Sequence, residues 1–160
     1  MPSKPDPDAT AAKLGDFLCF AIYTANLAYG RAYKPVLEAL GLTSYTQFIA
    51  VVALFEEDDQ TVHGLGEKLF LESNTLTPIL KKLEALGLVS RQRDLADERV
   101  VRVSLTAQGR KLRERAYDLS LRDASGLGDD FSKVQQAVVA LRDNLLGAVR
   151  EGRLPGGQGA

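Results

Sequence analysis

The sequence has 160 residues, 45% hydrophobic and 26% charged, with a formal net charge of −1; this size suits one domain, or a small domain with elements that need a partner. No run approaches the roughly 18 apolar residues that cross a bilayer, and a single cysteine excludes a disulfide framework within the chain. These features point to a cytoplasmic globular protein with no membrane partner.

Residues 1–13 begin with the polar, proline-rich Met1-Pro2-Ser3-Lys4-Pro5-Asp6-Pro7 and read as a disordered tail, not a signal peptide. From Asp16 to Leu40, Leu18, Ile22, Tyr29, Tyr33, Val36, Leu37 and Leu40 recur at the spacing of an amphipathic helix. Gly41 ends it. Ser44 is the candidate N-cap of a second helix reaching Phe55, and Glu56 to Gln60 reads as a solvated acidic turn.

Thr61 can cap a short helix from Val62 to about Leu69, followed by a turn over Phe70 to Glu72. The next helix places Leu76, Ile79, Leu80, Leu83 and Leu86 on one face. Ser73 is its candidate cap, but Pro78 would then sit in the second turn without an N–H, so Thr75 is the alternative cap. Gly87 closes this helix. Leu88 to Arg93 and Val100 to Leu105 read as two strands around a polar loop, Asp94 to Arg99. Thr106 caps a helix running to about Leu121, Arg122 to Asp130 is a bend, and Phe131 to Val149 form a last helix. Residues 151–160, rich in glycine, read as a second disordered tail.

The expected fold is mainly α with a small two- to three-stranded β wing. It divides into N-terminal helices (14–60), a winged helix–turn–helix (61–106) and C-terminal helices (107–150). The terminal helices carry more apolar surface than one small module covers, which predicts a two-fold dimer. Helix–turn–helix docking puts the second helix in the major groove of double-stranded DNA, with its N-terminal residues at the base edges. Ser73, Asn74, Thr75, Thr77 and Pro78 stand at that end, and Lys81 and Lys82 suit flanking phosphates. Arg91, Arg93 and Arg99 lie on the wing, where Asp97 is expected to pair with a wing arginine and Arg99 to make the tip contact. From Lys81 to Arg115 there are ten basic and five acidic residues, a local excess of the kind that phosphate binding requires.

The segment from Leu71 to Glu84, with Gly87-Leu88-Val89, Asp97-Glu98-Arg99 and Ser104-Leu105-Thr106, resembles the MarR family over nearly the whole chain. That resemblance implies a homodimeric repressor of a palindromic operator, released by a signal.

Cys19 lies near the start of the first helix. It reads either as a small buried hydrophobe or as a thiol activated by the positive end of the helix macrodipole. Leu18-Cys19-Phe20, Tyr23 and Tyr33-Lys34-Pro35 are similar to the organic hydroperoxide resistance regulators within the MarR family. The resemblance implies that an organic hydroperoxide oxidises Cys19, and that Tyr33, with Tyr23 and Tyr45, hydrogen-bonds its thiolate. Around Tyr45 the sequence departs from the family pattern by one extra residue and a missing proline. With one cysteine, the oxidised product would be a sulfenic acid, a sulfenamide, an over-oxidised acid or a mixed disulfide with a small thiol.

Two other readings stand beside this one. A small aromatic or phenolic ligand could be the signal, with Cys19 structural. A thiol peroxidase is the second, but the lone His63 lies in the helix–turn–helix, and no catalytic constellation, cofactor loop or metal-ligand spacing is present. His63 reads as a surface residue.

Overall fold

The computed structural model describes residues 13–117 and 122–153. Most of both expected tails lies outside those residues, as does the end of the helix expected to reach Leu121. The described order is α1 (Leu18–Ala39), α2 (Tyr45–Glu56), β1 (Gln60–Thr61), α3 (Val62–Leu69), α4 (Ser73–Ala85), β2 (Val89–Arg93), β3 (Val101–Leu105), α5 (Ala107–Tyr117) and α6 (Phe131–Arg150). The chain divides into two units, residues 1–120 and residues 121–160.

In the first unit, a 3₁₀ turn over Leu14–Asp16 precedes α1, so the helix starts at Leu18 and not at Asp16. Both α1 and α4 end on the same glycine device. Gly41 and Gly87 adopt φ of 74° and 71°, and Leu42 and Leu88 donate N–H to the carbonyls of Leu37 and Leu83 at 2.8 and 3.0 Å. That pairing satisfies carbonyls which a helix end leaves without partners. Ser44 caps α2 through Gln47 N–H at 3.3 Å, and Thr61 caps α3 through Gly64 N–H at 3.0 Å. Thr106 caps α5 through Gly109 N–H at 3.1 Å, and its hydroxyl also donates to the Gly87 carbonyl at 2.6 Å.

α4 corrects the expected cap. Its N-cap is Glu72 and no side chain caps it, so Ser73 and Thr75 both lie inside the helix, with Pro78 beyond the first turn. Thr77 Oγ1 donates to the Ser73 carbonyl at 2.7 Å. Leu76, Leu80 and Leu83 are fully buried, but Leu86 is 43% exposed and does not belong to the buried face.

The core lies where α2, α3, α4 and β3 meet: Val51, Leu54, Leu65, Leu76, Leu80, Leu83 and Val103 are all fully buried. α2 supplies much of it because nearly its whole length is apolar. The sheet is antiparallel in the order β1-β3-β2, with Gln60 opposite Val103 and Arg91 opposite the same Val103 on the other edge. β1 begins at Gln60, the last residue of the stretch expected to be a solvated acidic turn, and ends at Thr61. Val103 and Leu105 point inward while Arg102 and Ser104 alternate outward.

In the second unit, 3₁₀ turns over Asp123–Ser125 and Gly128–Asp130 occupy the expected bend before α6. Residues 151–153 extend the end of α6, with Arg153 N–H donating to the Ala148 carbonyl at 2.9 Å. No helix among the described residues is long and apolar enough to cross a membrane.

Candidate DNA interface and thiol site

The exposed end of α4 carries Ser73, Asn74, Thr75 and Pro78, with Thr77 half-buried and Lys81 and Lys82 exposed. The opposite face of the helix is the fully buried leucine row. A helix buried on one side and bearing short polar side chains on the other has the form that major-groove docking requires. Behind it, the turn into α4 is tight: a Cβ on Gly66 would lie 2.6 Å from the Leu71 carbonyl oxygen. A side chain there would push α3 and α4 apart.

The wing arginines divide by role. Arg91 faces α4, where Nε and Nη2 donate to Glu84 Oε2 at 2.9 and 2.7 Å and its own N–H reaches Oε1 at 3.2 Å. The Arg91 guanidinium holds the Glu84 carboxyl below the usual carboxylate range. Arg91 therefore ties the hairpin to the recognition helix. Arg93 donates to the Glu98 carbonyl at 2.8 Å across the wing. Arg99 is 90% exposed at the side chain and donates to both Asp97 oxygens, at 3.0 and 3.1 Å. That bonding lowers the Asp97 pKa and raises that of Arg99.

Sequence reasoning missed the base of the wing. Asp58 accepts from Leu105 N–H at 2.8 Å and pairs with Arg110. Asp59, at φ 54°, accepts from Arg102 Nε at 2.9 Å, and its carbonyl accepts from the same guanidinium. Arg102 also reaches Asp94 at 3.5 Å. The hydrogen bond from Arg102 is the main cause that lowers the Asp59 pKa; Asp94 is lowered first by its bond from the Ala96 N–H. Asp58 and Asp59 thus clamp the wing, while Glu56 and Glu57 are exposed as the solvated-turn reading expects. The alternation of Arg102 and Ser104 on β3 was the available signal, but it does not name partners more than forty residues away. His63 is exposed and pairs with Glu67 at 3.6 Å.

The thiol lies on another part of the first unit. Cys19 is free and exposed within the chain and is the second residue of α1. Tyr23, one turn on, is 59% exposed. Tyr33 belongs to a different cluster, with ring centroids 5.3 Å from Tyr29 and 5.6 Å from Tyr45. Burial, and then neighbouring phenols, push the Tyr33 and Tyr45 hydroxyls above the ordinary tyrosine pKa. Fourteen residues of helix rise separate Cys19 from Tyr33, about 21 Å. The structure therefore brings Tyr33 and Tyr45 together but does not bring either to Cys19 of the same chain. The face around Cys19 is apolar and uncovered: Leu18, Tyr23 and Leu27 are 61, 59 and 44% exposed.

A hollow of about 350 Å³ also lies in this unit, floored by Leu40, Leu88 and Leu112 and rimmed by Leu86, Lys111 and Arg115.

Comparison with known proteins follows the same outline. Residues 31–116 match the family model described as transcriptional regulator SarA/Rot. The organic hydroperoxide resistance transcriptional regulator of Bacillus subtilis (strain 168) is 39% identical over 136 residues, covering 83% of this chain and 92% of that protein. Reduced AbfR bound to DNA superimposes with a TM-score of 0.71 at 31% identity, over 85% of this chain and 96% of that one. Disulfide-formed AbfR gives a TM-score of 0.61 at 30% identity, over 86% and 92%.

Proposed function

The chain belongs to the SarA/Rot and MarR group of winged-helix transcriptional regulators, and on that premise we propose that it is a homodimeric repressor that leaves its operator when an organic hydroperoxide oxidises Cys19. Two copies would join through the uncovered apolar stripes of α1 and α6, where Leu18, Leu27, Val138 and Leu145 are 61, 44, 51 and 57% exposed. Each copy would place α4 in one half-site of a palindrome, with Lys81, Lys82, Arg93 and Arg99 on phosphates or the adjoining groove. Arg91 acts in this reading through Glu84, as a tie, and Asp97 orients Arg99.

The observation that carries the sensing role is the position of Cys19: a free thiol, exposed, at the N-terminal turn of a helix whose apolar Leu18, Tyr23 and Leu27 are exposed in the single chain. The thiolate sulfur attacks the terminal oxygen of the hydroperoxide. An S–O bond forms, the O–O bond breaks, and the alkoxide takes a proton and leaves as an alcohol. The sulfur is oxidised to a sulfenic acid and the peroxide is reduced. Because Tyr33 lies about 21 Å along the same helix, a Tyr33 phenol that holds the thiolate comes from the other copy. Oxidation then acts at the dimer contact and alters the spacing of the two recognition helices, which the DNA repeat keeps narrow. With one cysteine in this sequence, the sulfenic acid has no second thiol of the same chain to pair with, which leaves a sulfenic acid, a sulfenamide, an over-oxidised acid or a mixed disulfide with a small thiol as the product. The sensor consumes one peroxide per chain and does not turn over, which separates it from a peroxidase.

The test is a gel shift of the full chain on the DNA upstream of its own gene, with and without cumene hydroperoxide, repeated for Cys19→Ser. The reading predicts release of the wild type and retention of the variant. Release of both would refute the sensing role.

One observation favours a second reading, a small aromatic acid as the signal. The hollow beneath Leu86 has an apolar floor and two cations, Lys111 and Arg115, at its rim, the composition of a small-molecule site. Release of DNA by benzoate or salicylate without peroxide, lost in Lys111→Gln with Arg115→Gln, would favour it.

A further inference from the structure

Leu95 stands at the apex of the wing with its side chain wholly in solvent, at a relative exposure of 105%. Isolated exposed leucines are common on protein surfaces, but this one is held outward by a chain of bonds. The Asp94 carboxylate folds the loop beneath it, accepting from Ala96 N–H at 2.8 Å and Asp97 N–H at 3.3 Å. The backbone closes the same turn: Asp94 N–H donates to the Val100 carbonyl and Val100 N–H to the Asp97 carbonyl, both at 2.9 Å. Asp94 is tied in turn to Arg102, and Arg102 to Asp59 at the head of α3. The apex is thus braced against the helix–turn–helix itself, and the entropy of presenting Leu95 is lost on folding and not on binding.

With the N-terminal end of α4 in a major groove, the groove next along the duplex is the minor groove, about 6 Å wide. A helix does not fit there, but a hairpin tip does. Proteins that enter this groove use leucine and similar apolar side chains as wedges against base steps. We propose that Leu95 is such a wedge, seated in the minor groove beside each half-site, and that it makes the protein discriminate A·T from G·C flanks. The guanine 2-amino group rises from the groove floor and would lose its hydration beneath a leucine. An A·T step presents no such donor and, at TA steps, opens easily. Arg93 and Arg99, on the two sides of the loop, would hold the flanking phosphates. The proposal rests on the DNA-binding reading above.

The test uses the full chain and a duplex selected by the wild type from a random pool, with its flanks rebuilt as A·T, inosine·C or G·C. Inosine·C lacks the 2-amino group but keeps much of the major-groove pattern of G·C. The wild type should bind A·T and inosine·C flanks alike, and G·C flanks about ten-fold more weakly. Leu95→Ala should lose about ten-fold on A·T flanks and show no flank preference, with an unchanged melting temperature and salt dependence. Arg99→Ala should keep the flank preference and lower the salt slope by about one. If Leu95→Ala binds all three duplexes as the wild type does, or if the wild type ignores the flank, the wedge is wrong while DNA binding stands. If the wild type selects no duplex, DNA binding and the wedge fall together.

Discussion

In the winged module Leu65, Leu76, Leu80 and Leu83 are fully buried by residues of the same chain, whereas on α1 Leu18, Tyr23 and Leu27 remain 61, 59 and 44% exposed. The module that would read DNA is closed by its own core, its helix ends and an acidic clamp. The helix that carries Cys19 leaves its apolar face exposed in the single chain, and the proposed dimer would cover it. This difference teaches where a signal can act with least structural resistance. In that proposed dimer, a change at Cys19 would disturb a contact between copies without opening a packed core.

Leu80→Ala probes the closed side of that comparison. Truncating a fully buried leucine should cost about 2–5 kcal/mol, read as a lower urea midpoint, whereas Leu18→Ala should leave the unfolding of the single chain much less affected. Equal losses would break the distinction between the two regions. Leu27→Asp probes the open side. Placing an unpaired carboxylate in an apolar interface costs several kcal/mol, so the dimer dissociation constant should rise at least about a hundred-fold. Sedimentation equilibrium measures it, and an unchanged constant would remove α1 from the interface.

A smaller effect is expected at Gly66→Ala, where the new Cβ meets the Leu71 carbonyl oxygen. Overpacking of this kind costs about 1–3 kcal/mol, and calorimetry should show a lower melting temperature. The smallest effect comes from pH. Glu84, Asp59, Asp94 and Asp97 are all held below the ordinary carboxylate range in the folded chain. Their stabilisation is therefore present above that range and is lost as pH falls through the lowered values. These side chains are largely solvated, so the loss should be local. Amide exchange protection at Ala96, Asp97 and Arg99, whose N–H groups bond Asp94 and Asp97, should fall in acid before that of Leu80 and Leu83. The reverse order would mean that the carboxylate clamp does not hold the wing.

Much of this fold was legible in the sequence because burial imposes a period. The leucine row of α4 and the alternation on β3 are consequences of one buried side, and Gly41 and Gly87 mark the positive φ at which both helices end. β1, with two residues, is too short to show any period. The cap of α4 was not legible either, since Glu72 makes no side-chain cap bond and Pro78 drew the expected start later. Asp58 and Asp59 looked like a solvated acidic run because their partners, Leu105, Arg102 and Arg110, lie far along the chain. At the thiol, the resemblance grouped Cys19 with Tyr33. Helix rise separates them by about 21 Å within one chain, and that turns a local grouping into a question about two copies.

The most direct measurement of that question is the rate of Cys19 oxidation in mixed dimers. In one, a copy carrying Cys19→Ser faces a copy carrying Tyr33→Phe. In the other, a copy carrying both substitutions faces a wild-type copy. If the thiolate is held by the partner's phenol, the first dimer keeps one intact site and should form sulfenic acid at the wild-type rate with half the amplitude. The second pairs its only cysteine with a phenylalanine and should react more slowly. Equal rates in the two dimers would show that the site is not built across the copies.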